Sequence, residues 1–284
     1  MTRDEMQKIG EVVRTVWQYY EQNGRHDMPW RQPDLMGVYD PYHILVSEIM
    51  LQQTQVSRVW PKYQAFLRAF PSTEHLSQAS LESVLIHWSG LGYNRRAKFL
   101  WQAATMIQST YAGRFPREYA DLIALPGVGP NTAGAILAYA YDYPALFIET
   151  NIRTVLIHHL FTNDASVNDR DLRPFLQAML DIATQDGQSG HSPRSWYWAL
   201  MDYGNYLKKT VGNSACRSQS YSTQSAFAGS KRQIRGYVLR QLTVEPVSYQ
   251  ELERHITDSR LPAVLDDLMQ EGLISRHKEL YRLG

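Results

Sequence analysis

Cysteine is nearly absent. Cys216 is the single one in 284 residues, so neither an intrachain disulfide nor a four-thiolate metal cluster is available to this chain. Long apolar runs are missing too: the longest, near Ala133 to Tyr141, is far too short to span a bilayer. The N-terminal MTRDEMQKIG lacks the apolar core of a secretion signal, and an intracellular, cytoplasmic protein with no membrane partner is expected. Strand-like alternation is scarce, and there are no internal repeats. Acidic residues are absent from Tyr203 to Val244, a stretch that holds Lys208, Lys209, Arg217, Lys231, Arg232, Arg235 and Arg240. With an overall net charge of only +1, that segment is either a surface facing a polyanion or a solvated basic linker, and composition leaves both open.

What is present is helical periodicity. Ile9, Val12, Val13, Val16, Trp17 and Tyr20 recur at helix spacing, and most segments to about Leu207 keep that period. The fold class is therefore mainly α, with a first domain over residues 1–211. Residues 212–230 lapse into Ser214, Ser218, Ser220, Ser222, Thr223, Ser225 and Ser230, a basic loop or linker. Beyond it, residues 231–242 read as a helix, Ser248 and Glu251 form a capping-box spacing that opens a second, and Leu261 to Met269 makes a third. Gly272 stops it, and Leu273–Ile274 with Leu280–Leu283 flank a polar turn at Lys278 and Glu279. Three helices and a terminal hairpin give a small winged-helix-like domain over 231–284, expected to contact nucleic acid.

The run Leu125, Pro126, Gly127, Val128, Gly129, Pro130 separates two helical stretches. Glycines allow a tight reversal and a close backbone approach, and Pro130 suits the first turn of the next helix. Amides exposed at a helix start, helped by its dipole, bind phosphate without reading base sequence. Alone, this pattern is equally an ordinary helix–helix turn.

Four ordered motifs remove that ambiguity: SEIMLQQTQV (Ser47 to Val56), GLGY (Gly90 to Tyr93), LPGVG (Leu125 to Gly129) and TAGAIL (Thr132 to Leu137). In order and spacing they resemble the helix-hairpin-helix (HhH-GPD) DNA glycosylases, above all the MutY-type adenine glycosylases, over roughly residues 10–207. The resemblance implies a two-lobed HhH-GPD fold and a base excision enzyme that everts a mispaired base, most simply adenine opposite guanine or 8-oxoguanine, from double-stranded DNA. It implies that Glu48 protonates the departing base, and that Glu149 stands where the family has an aspartate stabilising the cationic sugar, with Asn151 in support. The extra methylene of Glu149 is a departure that displaces its carboxylate by roughly an ångström. Independently, Glu48 shares a helix face with Ile44, Leu45 and Gln52, which predicts partial burial and a raised pKa suited to an acid.

The same likeness places Trp30, Arg31, Asn131 and Asp202 around the base. It gives Gln53 and Tyr93 as the wedge that fills the vacated stack, with Gln52, Arg95 and Arg96 beside them toward DNA; the hairpin chemistry puts Gly127, Val128 and Gly129 there, and the acid-free basic stretch adds Lys208, Lys209, Arg217 and Lys231. Asn131 occupies the position of the lysine that bifunctional members use for strand cleavage, so a monofunctional enzyme using water is expected. His158 and His159, about 100° apart on a helix, cannot chelate one ion together and read as structural. Most relatives carry an iron-sulfur cluster after the segment matching Asp202 to Leu207, and MutY-type enzymes add a Nudix-like domain. Neither is expected here, and no cofactor is required; a monovalent cation at the hairpin is an open expectation. A nucleoid-associated monomer is anticipated. A uracil, thymine or modified-base glycosylase, and a catalytically silent DNA-structure binder, are the alternatives at this point.

Overall fold

The computed structural model describes residues 1–185, 190–224 and 226–284; Ser225 of the anticipated linker lies outside them. Among the described residues the chain is mainly helical. In order come α1 (Arg3–Asn23), α2 (Pro41–Leu51), α3 (Val56–Ala69), α4 (Thr73–Gln78), α5 (Leu81–Trp88), α6 (Arg95–Thr110) and α7 (Tyr119–Ala124). They are followed by α8 (Pro130–Tyr141), α9 (Thr150–Leu160), α10 (Asp169–Gln185), α11 (Pro193–Thr210), α12 (Lys231–Leu242), α13 (Tyr249–His255) and α14 (Leu261–Gln270). Strands β1 (Val247–Ser248), β2 (Ile274–His277) and β3 (Leu280–Leu283) lie among and after the last helices. No described helix is long and apolar enough to cross a membrane.

Helix boundaries follow local chemistry. Thr2 and Glu5 close a capping box at the start of α1, whose buried stripe is Ile9, Val12, Val13, Val16, Trp17 and Tyr20. Ser192 and Ser195 do the same for α11, with Pro193 at its first turn. Helix α8 is buried on nearly every face, which its small residues permit: a β-carbon on Gly134 would lie 2.8 Å from Cβ of Phe147.

The chain divides into two compact units. The first comprises Met1–Ile44 and Gly129–Thr223. In it α1 packs on α10 and α11, and α9 packs on α11 so closely that a β-carbon on Gly204 would sit 2.3 Å from the Asn151 carbonyl oxygen. Trp17, Trp196, Phe147 and Tyr197 fill its core, the last two stacked at 4.2 Å. The anticipated loop is partly built: a 3-10 turn spans Ser214–Arg217, and Val167 pairs with Ser218 in an isolated parallel bridge.

The second unit comprises Leu45–Val128 and Gln224–Gly284. Trp88, Phe66, Leu76 and Leu85 are fully buried within it. The winged-helix-like module carries its capping box at Ser248 and Glu251 and a three-stranded antiparallel sheet in the order β1-β3-β2. Lys278 takes the left-handed conformation (φ 55°) at the hairpin turn. Strand β1, only two residues long, has no periodicity to reveal it. The module is not packed as a separate body: β3 lies on α5, and Lys98 Nζ donates to the Glu271 carbonyl at 2.6 Å. Packing thus groups 231–284 with residues far upstream, whereas composition divides the chain only in linear order.

Candidate active site and DNA-facing surface

In the first unit, Glu149 is the N-cap residue of α9, where the helix dipole favours a negative charge. The segment leading to it is fixed by Asn131: its amide donates to the Ile148 carbonyl at 3.0 Å, and its oxygen accepts from the Ile148 amide at 3.3 Å. Asn131 thus positions the residue before Glu149. Burial pushes the Glu149 carboxyl above the ordinary range, opposed by Arg153, a backbone hydrogen bond from Thr150, and Lys208. Lys208 extends from α11 and donates to Asn151 Oδ1 at 2.9 Å. Burial lowers its own pKa while Glu149 raises it. Lys208 is therefore part of the carboxylate's setting. Arg153, which the motifs did not single out, is held by a two-point contact with Asp169 at 2.7 and 2.6 Å.

These contacts have a measurable consequence. If the ionised form of Glu149 stabilises a cationic sugar, single-turnover rate falls as pH drops through its raised pKa. Lys208→Met removes one of the charges that lower that pKa, so the acid limb of the pH–rate profile should move to higher pH. An unmoved limb would separate Lys208 from the carboxylate.

Asp202 has a different fate from the one its motif position suggested. It is 2% exposed and its carboxylate is occupied. Arg31 Nη1 and Nη2 donate at 2.8 and 2.9 Å, and the Arg25 amide and Nε at 2.8 and 2.7 Å. Burial alone would raise its pKa, but the hydrogen bonds and charge of Arg31, then Arg25, hold it below the usual carboxylate range. No acceptor is left to read a base edge, and Arg31, itself buried, spends both Nη atoms on this carboxylate. Trp30 is likewise buried. The His159 ring lies 3.0 Å from the Tyr203 hydroxyl, and burial pushes its pKa down to about 4.

The second unit carries Glu48 on α2, half-buried between the buried Ser47 and Ile49. Gln53 and Tyr93 both adopt left-handed backbone conformations (φ 55° and 47°), which non-glycine residues occupy at a cost of about 1 to 3 kcal/mol when surroundings enforce them. The enforcing group is Arg96. Its Nη1 donates to the carbonyls of Ile49, Met50 and Gln52 at 2.7, 2.9 and 2.6 Å. Its Nη2 reaches Thr54 Oγ1 and the Gly92 carbonyl at 3.0 and 3.1 Å. Burial pushes its pKa down to about 10. Arg96 therefore does not face DNA, contrary to its place in a basic run. Two further side chains meet this pair, Gln224, which the sequence did not single out, and Arg232 of the basic stretch: Gln224 Nε2 donates to Gln53 Oε1 at 2.9 Å and to the Tyr93 hydroxyl, and Arg232 Nη1 donates to the same hydroxyl at 2.7 Å.

Among the other basic candidates, Arg217 is also corrected. Its guanidinium donates to the carbonyls of Ile157, Phe161, Thr162 and Asp164, closing the C-terminal end of α9. Arg95 and Lys209 are exposed, as is Lys231, whose Nζ lies 3.8 Å from Asp267; Gln52 is half-exposed. At the hairpin, Gly127 has φ 79°, and a β-carbon there would lie 2.8 Å from Cβ of Phe99. Gly129, at φ −91° with open space around it, has no such need for glycine. The Val128 amide donates to the Leu125 carbonyl at 3.1 Å and is not a phosphate donor; the amides of Gly129 and Asn131, at the start of α8, have no acceptor within the helix.

The fold family's iron-sulfur cluster does not fit this chain. Cys216 is the only thiol, and Arg217 beside it is committed to the end of α9. No described group of three or more His, Cys, Asp or Glu side chains is arranged to hold a metal ion.

The fold, the glycine-pinned hairpin and the two carboxylate-bearing helices have a counterpart in known proteins. The HhH-GPD superfamily base excision DNA repair protein model matches residues 46–177, and the chain belongs to that superfamily. Within it, the likeness is to proteins named adenine DNA glycosylase. One from Mycolicibacterium smegmatis is 33% identical over 272 residues, covering 89% of each chain. Another, from Buchnera aphidicola subsp. Baizongia pistaciae, is 37% identical over 171 residues, 60% of this chain and 46% of that one. The chain spans about half the length of the Buchnera relatives it matches. Among solved structures, a thermostable thymine-DNA glycosylase aligns with a TM-score of 0.59 at 25% identity, over 70% of this chain and 86% of that one.

Proposed function

We propose that the protein is a monofunctional DNA N-glycosylase that everts adenine mispaired with guanine or 8-oxoguanine and hydrolyses its N-glycosidic bond. The observation that carries this reading is Glu149: a carboxylate set at a helix N-terminus, flanked by Asn151, Lys208 and Arg153, is the group an oxocarbenium-like transition state requires. Glu48 supplies the proton to the departing base, and water attacks the sugar. Gln53 and Tyr93 enter the vacated stack, offsetting the cost of unstacking. The amides of Gly129 and Asn131 hold a backbone phosphate. Adenine is favoured because the relatives just described, one of them matched over 89% of both chains, carry that name. The reaction uses no cofactor, and Asn131 supplies no amine for strand cleavage.

The likeness to a thymine-DNA glycosylase gives thymine as the second reading. The test is incubation with duplexes holding A opposite 8-oxoguanine, A opposite G, T opposite G and U opposite G, followed by probing for abasic sites with alkali. Excision restricted to the adenine duplexes, with breaks only after alkali, is expected. Excision of T or U instead transfers the reading to a pyrimidine enzyme, breaks without alkali overturn the monofunctional assignment, and no excision leaves a DNA-structure binder.

A further inference from the structure

The second unit carries an open cleft of about 1170 Å3 at Gln53 and Tyr93. One wall is the wedge itself, with Gln53 and Tyr93. The other comes from the end of the linker and the start of α12, with Gln224, Phe227 and Arg232. Arginines outnumber acids along it, and the Glu271 carboxylate that also lines it is paired with Arg235 at 2.6 Å. A space this size, cationic and with aromatic rings exposed at Tyr93 and Phe227, suits an unpaired nucleotide.

Its polar chemistry is narrower than that. Gln224 Nε2 and Arg232 Nη1 converge on one acceptor, the Tyr93 hydroxyl oxygen, and Gln224 also holds Gln53. Two N–H donors from the C-terminal side thus meet at the tip of the residue that enters the duplex. When the wedge advances into DNA, the partner facing those donors is the base left without its mate. On the major-groove edge, guanine alone offers adjacent acceptors, O6 and N7, matching a guanidinium fork; adenine there pairs an acceptor with a donor, cytosine presents a donor, and thymine one acceptor beside its methyl.

We propose that Arg232 and Gln224, at the junction of linker and α12, bind the acceptor edge of a guanine left unpaired opposite the everted nucleotide, and so favour guanine over cytosine there. The hydroxyl of Tyr93 holds the place of that edge in the free protein. The proposal rests on the base-everting reading but does not need the excised base to be adenine.

The test is binding rather than turnover. Duplexes carry a non-cleavable abasic analogue opposite guanine, cytosine or 7-deazaguanine, which lacks the N7 acceptor. Wild-type protein should bind the guanine duplex about tenfold or more tightly than the cytosine duplex. Arg232→Ala and Gln224→Ala should each reduce that ratio, as should Arg232→Lys, which keeps charge without the fork. Arg254→Ala, which removes the same charge from exposed α13, should leave the ratio unchanged. The losses from 7-deazaguanine and from Arg232→Ala should not add, because both delete one contact. Equal wild-type affinity for guanine and cytosine, retention of the ratio in the variants, or additive losses would overturn the assignment. If the protein releases no base in the excision assay and still shows this pattern, the functional reading fails and the site stands; adenine release without the pattern gives the converse.

Discussion

Exchange of Glu48 for glutamine should slow single-turnover adenine release by about a hundredfold to ten-thousandfold, the range a positioned general acid supplies, while duplex affinity stays near wild type. The exchange keeps the shape of a half-buried side chain set between Ser47 and Ile49 on α2, so packing has no reason to change. What is lost is a transferable proton. Adenine is a poor leaving group as an anion and a better one once protonated, so removal of the acid raises the barrier to bond cleavage without touching the wedge or the hairpin. Rapid-quench measurement of abasic sites, alongside fluorescence anisotropy on an uncleavable duplex, separates the two quantities. A fall in affinity to match the fall in rate would assign Glu48 to the scaffold.

Asp202→Asn should have the largest effect on stability. The carboxylate is buried with Arg31 and accepts from Arg31 and Arg25, so its neutral replacement leaves a buried guanidinium without its counter-charge. Breaking such a pair from one side costs about 3 to 5 kcal/mol. The pH dependence has a definite sign. Because its folded pKa lies below the unfolded value, the stabilisation is fully present above about pH 4 and is lost as pH falls through the folded value. The gap in chemical-denaturation midpoint between wild type and variant should therefore be wide near neutrality and narrow in acid. A gap under about 1 kcal/mol at neutral pH, the worth of an exposed pair, would mean that the triad is solvated.

Much of the fold was legible because its signals are local. Capping boxes at Ser248 and Glu251, the stripe of α1 and the hairpin glycine at 127 each follow from neighbouring residues, and each stands where the pattern put it. The site was less legible where a side chain's partner is distant in sequence. A basic run tells which cations are close along the chain, but a guanidinium fork suits a carbonyl cluster as well as it suits phosphate. Arg96 and Arg217 turned inward for that reason. Asp202 was misread in the same way, since its partners lie more than 170 positions earlier. Gln224, in a serine-rich stretch without periodicity, carried no signal at all; only packing brings it to Tyr93.

Arg96 has one consequence beyond its own bonds. Its single planar group ties the carbonyls that precede Gln53 and the carbonyl that precedes Tyr93, two loops some forty residues apart in the chain. The backbones that carry Gln53 and Tyr93 are therefore mounted on a common rivet. On the proposed function, the two side chains would enter a duplex together, on a mount already shaped by the protein itself.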